Sequence, residues 1–200
     1  MGNVYDAGEG DNTQKCHDGA QWREQDREGQ FSVKPYTLQR LTDRDMAAFR
    51  TIRLDGLKRH PAAFGADYDT ERHQPDAFFA ARLRENCVLA GADDRGRLGG
   101  IVGVRFNAAQ KQRHYATIWG MYLCPEWRGS GLAKALLTAA IAEAGECCCL
   151  KLAVSTTNTA AVRLYRSAGF QTYGTDVAAL YVNGVNHDTL LMRLDKEPER

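Results

Sequence analysis

A strand that turns into a helix through two glycines constrains this chain more than any other stretch. Residues Met121–Ile141 read Met-Tyr-Leu-Cys-Pro-Glu-Trp-Arg-Gly-Ser-Gly-Leu-Ala-Lys-Ala-Leu-Leu-Thr-Ala-Ala-Ile. The first residues suit a strand, and Pro125 stops it because proline cannot donate to a ladder. Leu132, Ala133, Leu136, Leu137, Ala140 and Ile141 then recur with helical period. The loop between, Arg128-Gly129-Ser130-Gly131, therefore delivers a helix N-terminus with unpaired backbone N–H groups. Those groups and the helix dipole favour an anion, above all a phosphate. Gly129 and Gly131 allow close backbone approach and positive φ. Ser130 adds a hydroxyl and Arg128 a fixed positive charge. A bare strand-to-helix turn would also use glycines. The small residues on the first helical turn favour the phosphate reading, since bulk there would block a ligand. No Lys-Ser/Thr follows, so the loop is not that of a nucleoside-triphosphate site.

A second strand–helix unit lies downstream. Leu150–Ser155 reads as a strand, and residues 158–170 read Asn-Thr-Ala-Ala-Val-Arg-Leu-Tyr-Arg-Ser-Ala-Gly-Phe. Ala161, Leu164, Tyr165 and Ala168 share one helical face, and Gly169 fits a left-handed cap. Arg-x-x-Gly-x-Ala after a strand resembles the pyrophosphate-binding signature of the GNAT acetyltransferase superfamily. The later stretch is similar to that family's second motif, Asn-x-x-Ala-x-x-Leu-Tyr-x-x-x-Gly-Phe, at every named position. Tyr173–Asp176 and the Leu-Met-Arg-Leu near the end resemble a widespread bacterial-type group of that family whose acceptors are mostly undefined. The resemblance covers roughly Phe31 to Leu194.

The remaining elements agree with that fold. A strand is expected over Phe31–Leu41, then a helix from Thr42 to about Lys58 with Met46, Phe49, Ile52 and Leu57 inward, ended by His60-Pro61. Pro61–Tyr68 reads as a loop and Pro75–Arg84 as a second helix. Cys87–Ala92 and Leu98–Phe106 read as a hairpin joined by residues 93–97. His114–Leu123 leads into the glycine loop. Strands over Gln171–Leu180 and His187–Leu194 flank a turn over Tyr181–Asn186 carrying Asn183-Gly184. The expected fold is α/β, with a mixed, mostly antiparallel sheet, helices on both faces and the order β-α-α-β-β-β-α-β-α-β-β. Gly96, Gly99, Gly100 and Gly103 do not form Gly-x-Gly-x-x-Gly and precede no helix, so they are not a dinucleotide site.

The resemblance implies a site. Two neighbouring strands would splay, and acetyl-CoA would enter the gap as the acyl-donor cosubstrate. Its pantetheine arm would bond to the backbone of Met121, Tyr122 and Leu123, and its pyrophosphate to Arg128, Gly129, Ser130, Gly131, Leu132 and Ala133. Asn158 would hold the pantetheine through its side-chain amide, or cap its own helix, or both. Tyr165 is the candidate general acid toward the departing thiolate, against the alternative of a core aromatic. No single general base stands out among Glu126, Asp67, Asp69, Glu71, His187 and Asp188, so a water relay is the default. The acceptor pocket would involve the first helix–loop region, Trp119 and the Tyr181–His187 turn. The implied reaction is acetyl transfer to a primary amine in a ternary complex. Cys124 is the thiol that could instead carry an acetyl group, a non-catalytic acyl-CoA sensor is the rival function, and another acyl donor is a weaker option.

Composition sets the outer limits. Two hundred residues suit one domain, expected over 31–200, and a 44% apolar fraction supports a core. Residues 1–30 hold seven acids and three bases and read as a disordered extension, leaving the rest five charges positive. The net charge of +1 does not advertise nucleic-acid binding. No run could span a membrane, and the first residues lack a signal-peptide core. Six cysteines without Cys-x-x-Cys, three of them adjacent at 147–149, suggest reduced thiols in a cytoplasm and no metal. A homodimer is compatible with this composition.

Overall fold

Alternation and helical periodicity sort the chain into β1 (Thr37–Arg40), α1 (Met46–Arg59), α2 (Tyr68–Arg72), α3 (Asp76–Glu85), β2 (Cys87–Ala92), β3 (Leu98–Phe106), β4 (Tyr115–Leu123), α4 (Leu132–Glu143), β5 (Cys149–Ser155), α5 (Thr159–Ser167), β6 (Gln171–Val182) and β7 (Val185–Asp195). These come from a computed structural model that describes residues 35–196. The expected extension over 1–30, and the first four residues of the strand expected from Phe31, lie outside the described residues. The strands form one sheet in the order β1-β2-β3-β4-β5-β7-β6. Every neighbouring pair is antiparallel except β4 and β5, which are parallel because α4 crosses between them.

Helices cover both faces. On one, Leu132, Leu136, Leu137 and Ala140 of α4 and Val162 and Tyr165 of α5 pack against Val102, Val104, Ile118 and Leu152. On the other, Phe49 and Ile52 of α1 and Phe79 and Leu83 of α3 pack against Val88, Ala90, Ile101 and Tyr122. Strand β2 is buried on both faces, which is why it reads as a continuous apolar run. The glycines of β3 make room for tryptophans. A Cβ on Gly99 would lie 2.4 Å from the Trp127 ring, and one on Gly103 would lie 2.3 Å from the Trp119 ring.

Several boundaries differ from expectation. The Pro61–Tyr68 loop opens with a 3₁₀ turn at Pro61–Ala63 and leads into α2, capped by Asp67, whose carboxylate accepts the Thr70 N–H at 2.8 Å. Five residues are too few to show a period, so the sequence hid this helix. Strand β1 starts at Thr37, since Pro35 has no N–H to give. Strand β4 starts one residue late, at Tyr115. The β6–β7 turn is only Asn183-Gly184, at φ +50° and +82°, a two-residue turn matching strand twist, so both strands run further than expected. No helix among the described residues is long and apolar enough to cross a membrane.

Candidate functional site

Strands β4 and β5 pair through only three positions, Tyr115 with Cys149, Ala116 with Leu150 and Thr117 with Lys151. Beyond Thr117 the β5-facing edge of β4 has no strand partner among the described residues, and the two strands diverge. The cause lies on the opposite edge. Against β3, Tyr122 pairs with Ile101 and Trp119 with Gly103, so Gly120 and Met121 together oppose Val102. This is a β-bulge, and Gly120 takes φ +63° to make it. A bulge bends its strand, which carries β4 away from β5. It also sorts the side chains that follow. Met121 and Leu123 face α4 and α5, while Tyr122 faces α1.

The loop after β4 is shaped for close approach. Pro125–Trp127 form a 3₁₀ turn that buries Trp127. Gly129 and Gly131 have φ +76° and +83°, and Gly131 is the N-cap of α4. A Cβ on Gly129 would meet nothing within 4 Å, and one on Gly131 only the Tyr36 hydroxyl at 3.8 Å. The first-turn amides of α4 thus open onto accessible space. Leu132 has its side chain fully buried and offers this space only its backbone. Ser130 behaves differently from a free donor. Its hydroxyl donates to the Trp127 carbonyl at 2.6 Å and accepts a long bond, 3.4 Å, from the Leu132 N–H. It closes the loop. The exposed Arg128 reaches His60, Nη2 donating to Nε2 at 2.9 Å. Burial, then the charges of Arg128 and Arg59, hold the His60 pKa below its usual range against the pull of Asp55.

Across the gap, Asn158 caps α5, its Oδ1 accepting the Ala161 N–H at 3.2 Å. That bond uses the carbonyl end and leaves the amide NH₂ for a further acceptor. At the other end, Phe170 N–H bonds to Tyr165 O and Gly169 N–H to Arg166 O, both at 3.0 Å, a Schellman cap with Gly169 at φ +93°. This cap fixes the last turn, and with it Tyr165. The Tyr165 side chain is 6% exposed, and its ring meets Phe170 edge-on at 5.8 Å. Its hydroxyl donates to the Met121 Sδ at 3.5 Å, and burial pushes its pKa up to about 12.

On the α1 side, Tyr122 donates to Asp55 Oδ2 at 2.5 Å, and Asp55 also accepts from Arg59 at 2.7 Å. Burial pushes the Asp55 carboxyl up, but these two bonds, with the charges of Arg59 and His60, outweigh it and hold the pKa below the usual range. A cleft of about 260 Å³ lies between Pro61–Tyr68 and Leu180–Asn183, joining the helix–loop region to the β6–β7 turn. Trp119 is not among the residues lining it; half-buried, it packs against the α1–α3 cluster, its Nε1 buried without a hydrogen-bond partner among the described residues. The nearby carboxylates have structural tasks. Asp67 caps α2, Asp69 pairs with Arg72, Glu71 is buried between Arg53 and Arg82, and Asp188 accepts the Ala178 N–H at the β6 bulge. Glu126 is exposed. Burial, with Glu126 and Asp55 nearby, pushes the Cys124 thiol up to about 11. Among the described residues no group of three His, Cys, Asp or Glu is placed to hold a metal.

This combination of a bulged, splayed strand, a glycine loop at a helix N-terminus and a capped Asn–Tyr helix lies within one sequence family. The profile of the acetyltransferase (GNAT) family matches residues 38–170, about two thirds of the chain. The chain belongs to the GNAT acetyltransferase family. Solved structures agree with the fold. A GNAT-family acetyltransferase from Streptococcus pneumoniae matches at TM-score 0.68 and 23% identity, over 81% of this chain and all of that one. A ribosomal-protein-alanine N-acetyltransferase from Brucella melitensis matches at 0.66 and 25%, over 80% and 99%. A phosphinothricin acetyltransferase of Sinorhizobium meliloti, solved with acetyl-CoA, matches at 0.70 and 20%, over 82% and 93%. No match is found among curated proteins.

Sequence reasoning missed three residues of this candidate site. Gly120, which makes the bulge, carried a readable signal, a glycine within an apolar strand. His60 and Asp55 carried none, because their partners Arg128 and Tyr122 lie 68 and 67 residues away.

Proposed function

We propose that this GNAT chain moves an acetyl group from acetyl-CoA to a primary amine of a small molecule, peptide or protein, by direct attack within a ternary complex. The observation that carries the reading is Tyr165, a buried phenol kept neutral by its surroundings, whose hydroxyl is directed at a sulfur beside the unpaired edge of β4. Acetyl-CoA supplies an acyl group already activated as a thioester. The backbone edge of Met121–Leu123 and the free amide of Asn158 suit its pantetheine. The loop Arg128–Ala133 suits its pyrophosphate, mainly through backbone N–H groups and the charge of Arg128.

In the transfer the amine nitrogen bonds to the acyl carbon, and the carbon–sulfur bond breaks with its electron pair on sulfur. Tyr165 gives its proton to that sulfur and regains one from solvent. The proton lost by the amine passes to water, since Asp67 is held in a cap, Asp69 and Glu71 in ion pairs and Asp188 in a backbone hydrogen bond. A covalent acetyl-cysteine step is disfavoured because a Cys124 thiol near pKa 11 is almost wholly protonated at neutral pH. The relatives named above are described with different acceptors, so they do not choose one for this chain. The test is incubation with acetyl-CoA and a panel of amines, read by mass. Acetylated product supports the reading. Acetyl-CoA binding without product on any amine contradicts it and points to a sensor.

A further inference from the structure

Two guanidinium groups and one carboxylate are packed together where α1, α2 and α3 meet β4. Arg53, 5% exposed, gives its Nε and Nη2 protons to the two Glu71 oxygens, both at 3.1 Å. Arg82, half-buried, gives an Nη2 proton to the same Glu71 Oε1 at 3.0 Å. Glu71 is itself 3% exposed. Both guanidiniums lie over the Trp119 ring, at 5.8 and 5.6 Å, and Arg53 also lies over Phe64 at 5.5 Å. These three side chains carry one more positive charge than negative, and the exposed Glu85 is a further charge acting on Arg82. Burial lowers the Arg82 pKa, the nearby Arg53 adding to that, while Glu71 and the exposed Glu85 pull it back up.

Glu71 bridges both arginines but balances the charge of only one. A second, partly desolvated cation costs free energy unless an anion arrives to pair with it. Its position says which anion. Phe64 lines the cleft between the α1–α2 loop and the β6–β7 turn. At the opposite end, a Cβ on Gly120 would sit 3.5 Å from Arg53 Nη1, the nitrogen not spent on Glu71. The Arg53 guanidinium thus lies between the cleft and the bulge of β4, with Arg82 joined to it through Glu71 and the Trp119 ring.

We propose that the acceptor is an amine bearing a carboxylate close to its amino group, as in a free amino acid, and that Arg53 and Arg82 bind that carboxylate. This rests on the acetyl-transfer reading. It places the amine toward β4, with the carboxylate held on the α1–α3 side. A peptide or protein N-terminus has an amide where the free amino acid has a carboxylate, and would leave the cation unpaired.

The test compares free α-amino acids with their carboxamides as acceptors, at fixed acetyl-CoA, with kcat/KM corrected for the fraction of free-base amine. The acids are expected to be preferred by about 10- to 100-fold, the range of a charge-assisted hydrogen bond. Arg82→Met should collapse that ratio toward one, and Arg82→Lys, which keeps the charge, should restore much of it. If Arg82→Met fails to fold, the wild-type ratio and the lysine variant still decide. Equal use of acids and carboxamides, or a preference for the carboxamides, overturns this inference and leaves acetyl transfer standing. Failure to acetylate any member while acetyl-CoA binds overturns this inference, and acetyl transfer is then decided by the wider amine panel.

Discussion

The Tyr165 hydroxyl donates to the Met121 thioether across 3.5 Å, joining the helix of the second motif to the bulged strand of the first. A thioether is a weak acceptor, so the contact holds the phenol in place without stabilising its ionised form. The group proposed to meet the sulfur of a departing thiol already meets a sulfur. The bulge at Gly120 turns Met121 toward α5, and the Gly169 cap fixes the turn that carries Tyr165.

Tyr165→Phe is expected to lower kcat by roughly ten- to a thousand-fold, with little change in acetyl-CoA affinity. With its pKa raised from 10.0 to about 12, the wild-type phenol stays protonated well beyond neutral pH. Its deprotonation should therefore produce no fall in rate below pH 10. Unchanged kcat in a folded variant would return Tyr165 to the core.

Cys124→Ala should keep turnover close to wild type. The thiol is half-buried, donates only weakly to the Leu98 carbonyl at 3.8 Å and has its pKa pushed up. A fall of more than about tenfold in kcat, with the fold intact by circular dichroism, would revive a covalent cysteine route.

Gly103→Ala and Gly120→Ala should separate packing from function. The first forces a Cβ to within 2.3 Å of the Trp119 ring and should cost about 1–3 kcal/mol in a thermal melt. The second meets only ordinary contact but must hold φ +63°, which costs about 1–2 kcal/mol. Only Gly120→Ala is expected also to weaken acetyl-CoA binding, because it acts on the bulge that opens β4 from β5. Equal affinity in both variants would separate the bulge from the cofactor slot.

His60 gives a pH dependence of known sign. Its folded pKa lies below the ordinary 6.5, so the stability contributed by the neutral ring is present above pH 6.5 and lost as pH falls through the folded value. Denaturation between pH 7.5 and 5 should show the wild type losing stability, and His60→Gln losing less. Parallel profiles would mean that His60 titrates as it does in the unfolded chain. Asp55 acts in the same direction below its ordinary 3.8, outside this window.

Local patterns in this chain were legible in its sequence, and contacts across it were not. The β2–β3 hairpin, the α4 stripe and the Gly169 cap each declare themselves within a few residues, so their elements fall where alternation and period place them. The seven-stranded sheet follows from their order. The five-residue α2 is too short to show a period. Ser130 reads as a phosphate donor because nothing nearby in sequence shows that the Trp127 carbonyl takes its proton. The glycines of β3 could be excluded as a dinucleotide site, but nothing in the sequence shows that Trp119 and Trp127 lie on them. The arginine pair around Glu71 draws on three helices, and no spacing rule joins residues 53, 71 and 82.

The most direct test of the central claim is calorimetric titration of the protein with acetyl-CoA, alongside Gly131→Glu. One-to-one binding at micromolar affinity is expected for the wild type. The glutamate, placing bulk and negative charge at the α4 N-cap, should remove it. Gly131 sits at φ +83°, so the variant is first checked for a native melt. A folded Gly131→Glu that binds acetyl-CoA as tightly as the wild type would contradict the placing of the pyrophosphate on this loop. A wild type that binds no acyl-CoA would contradict the acetyl-transfer reading itself.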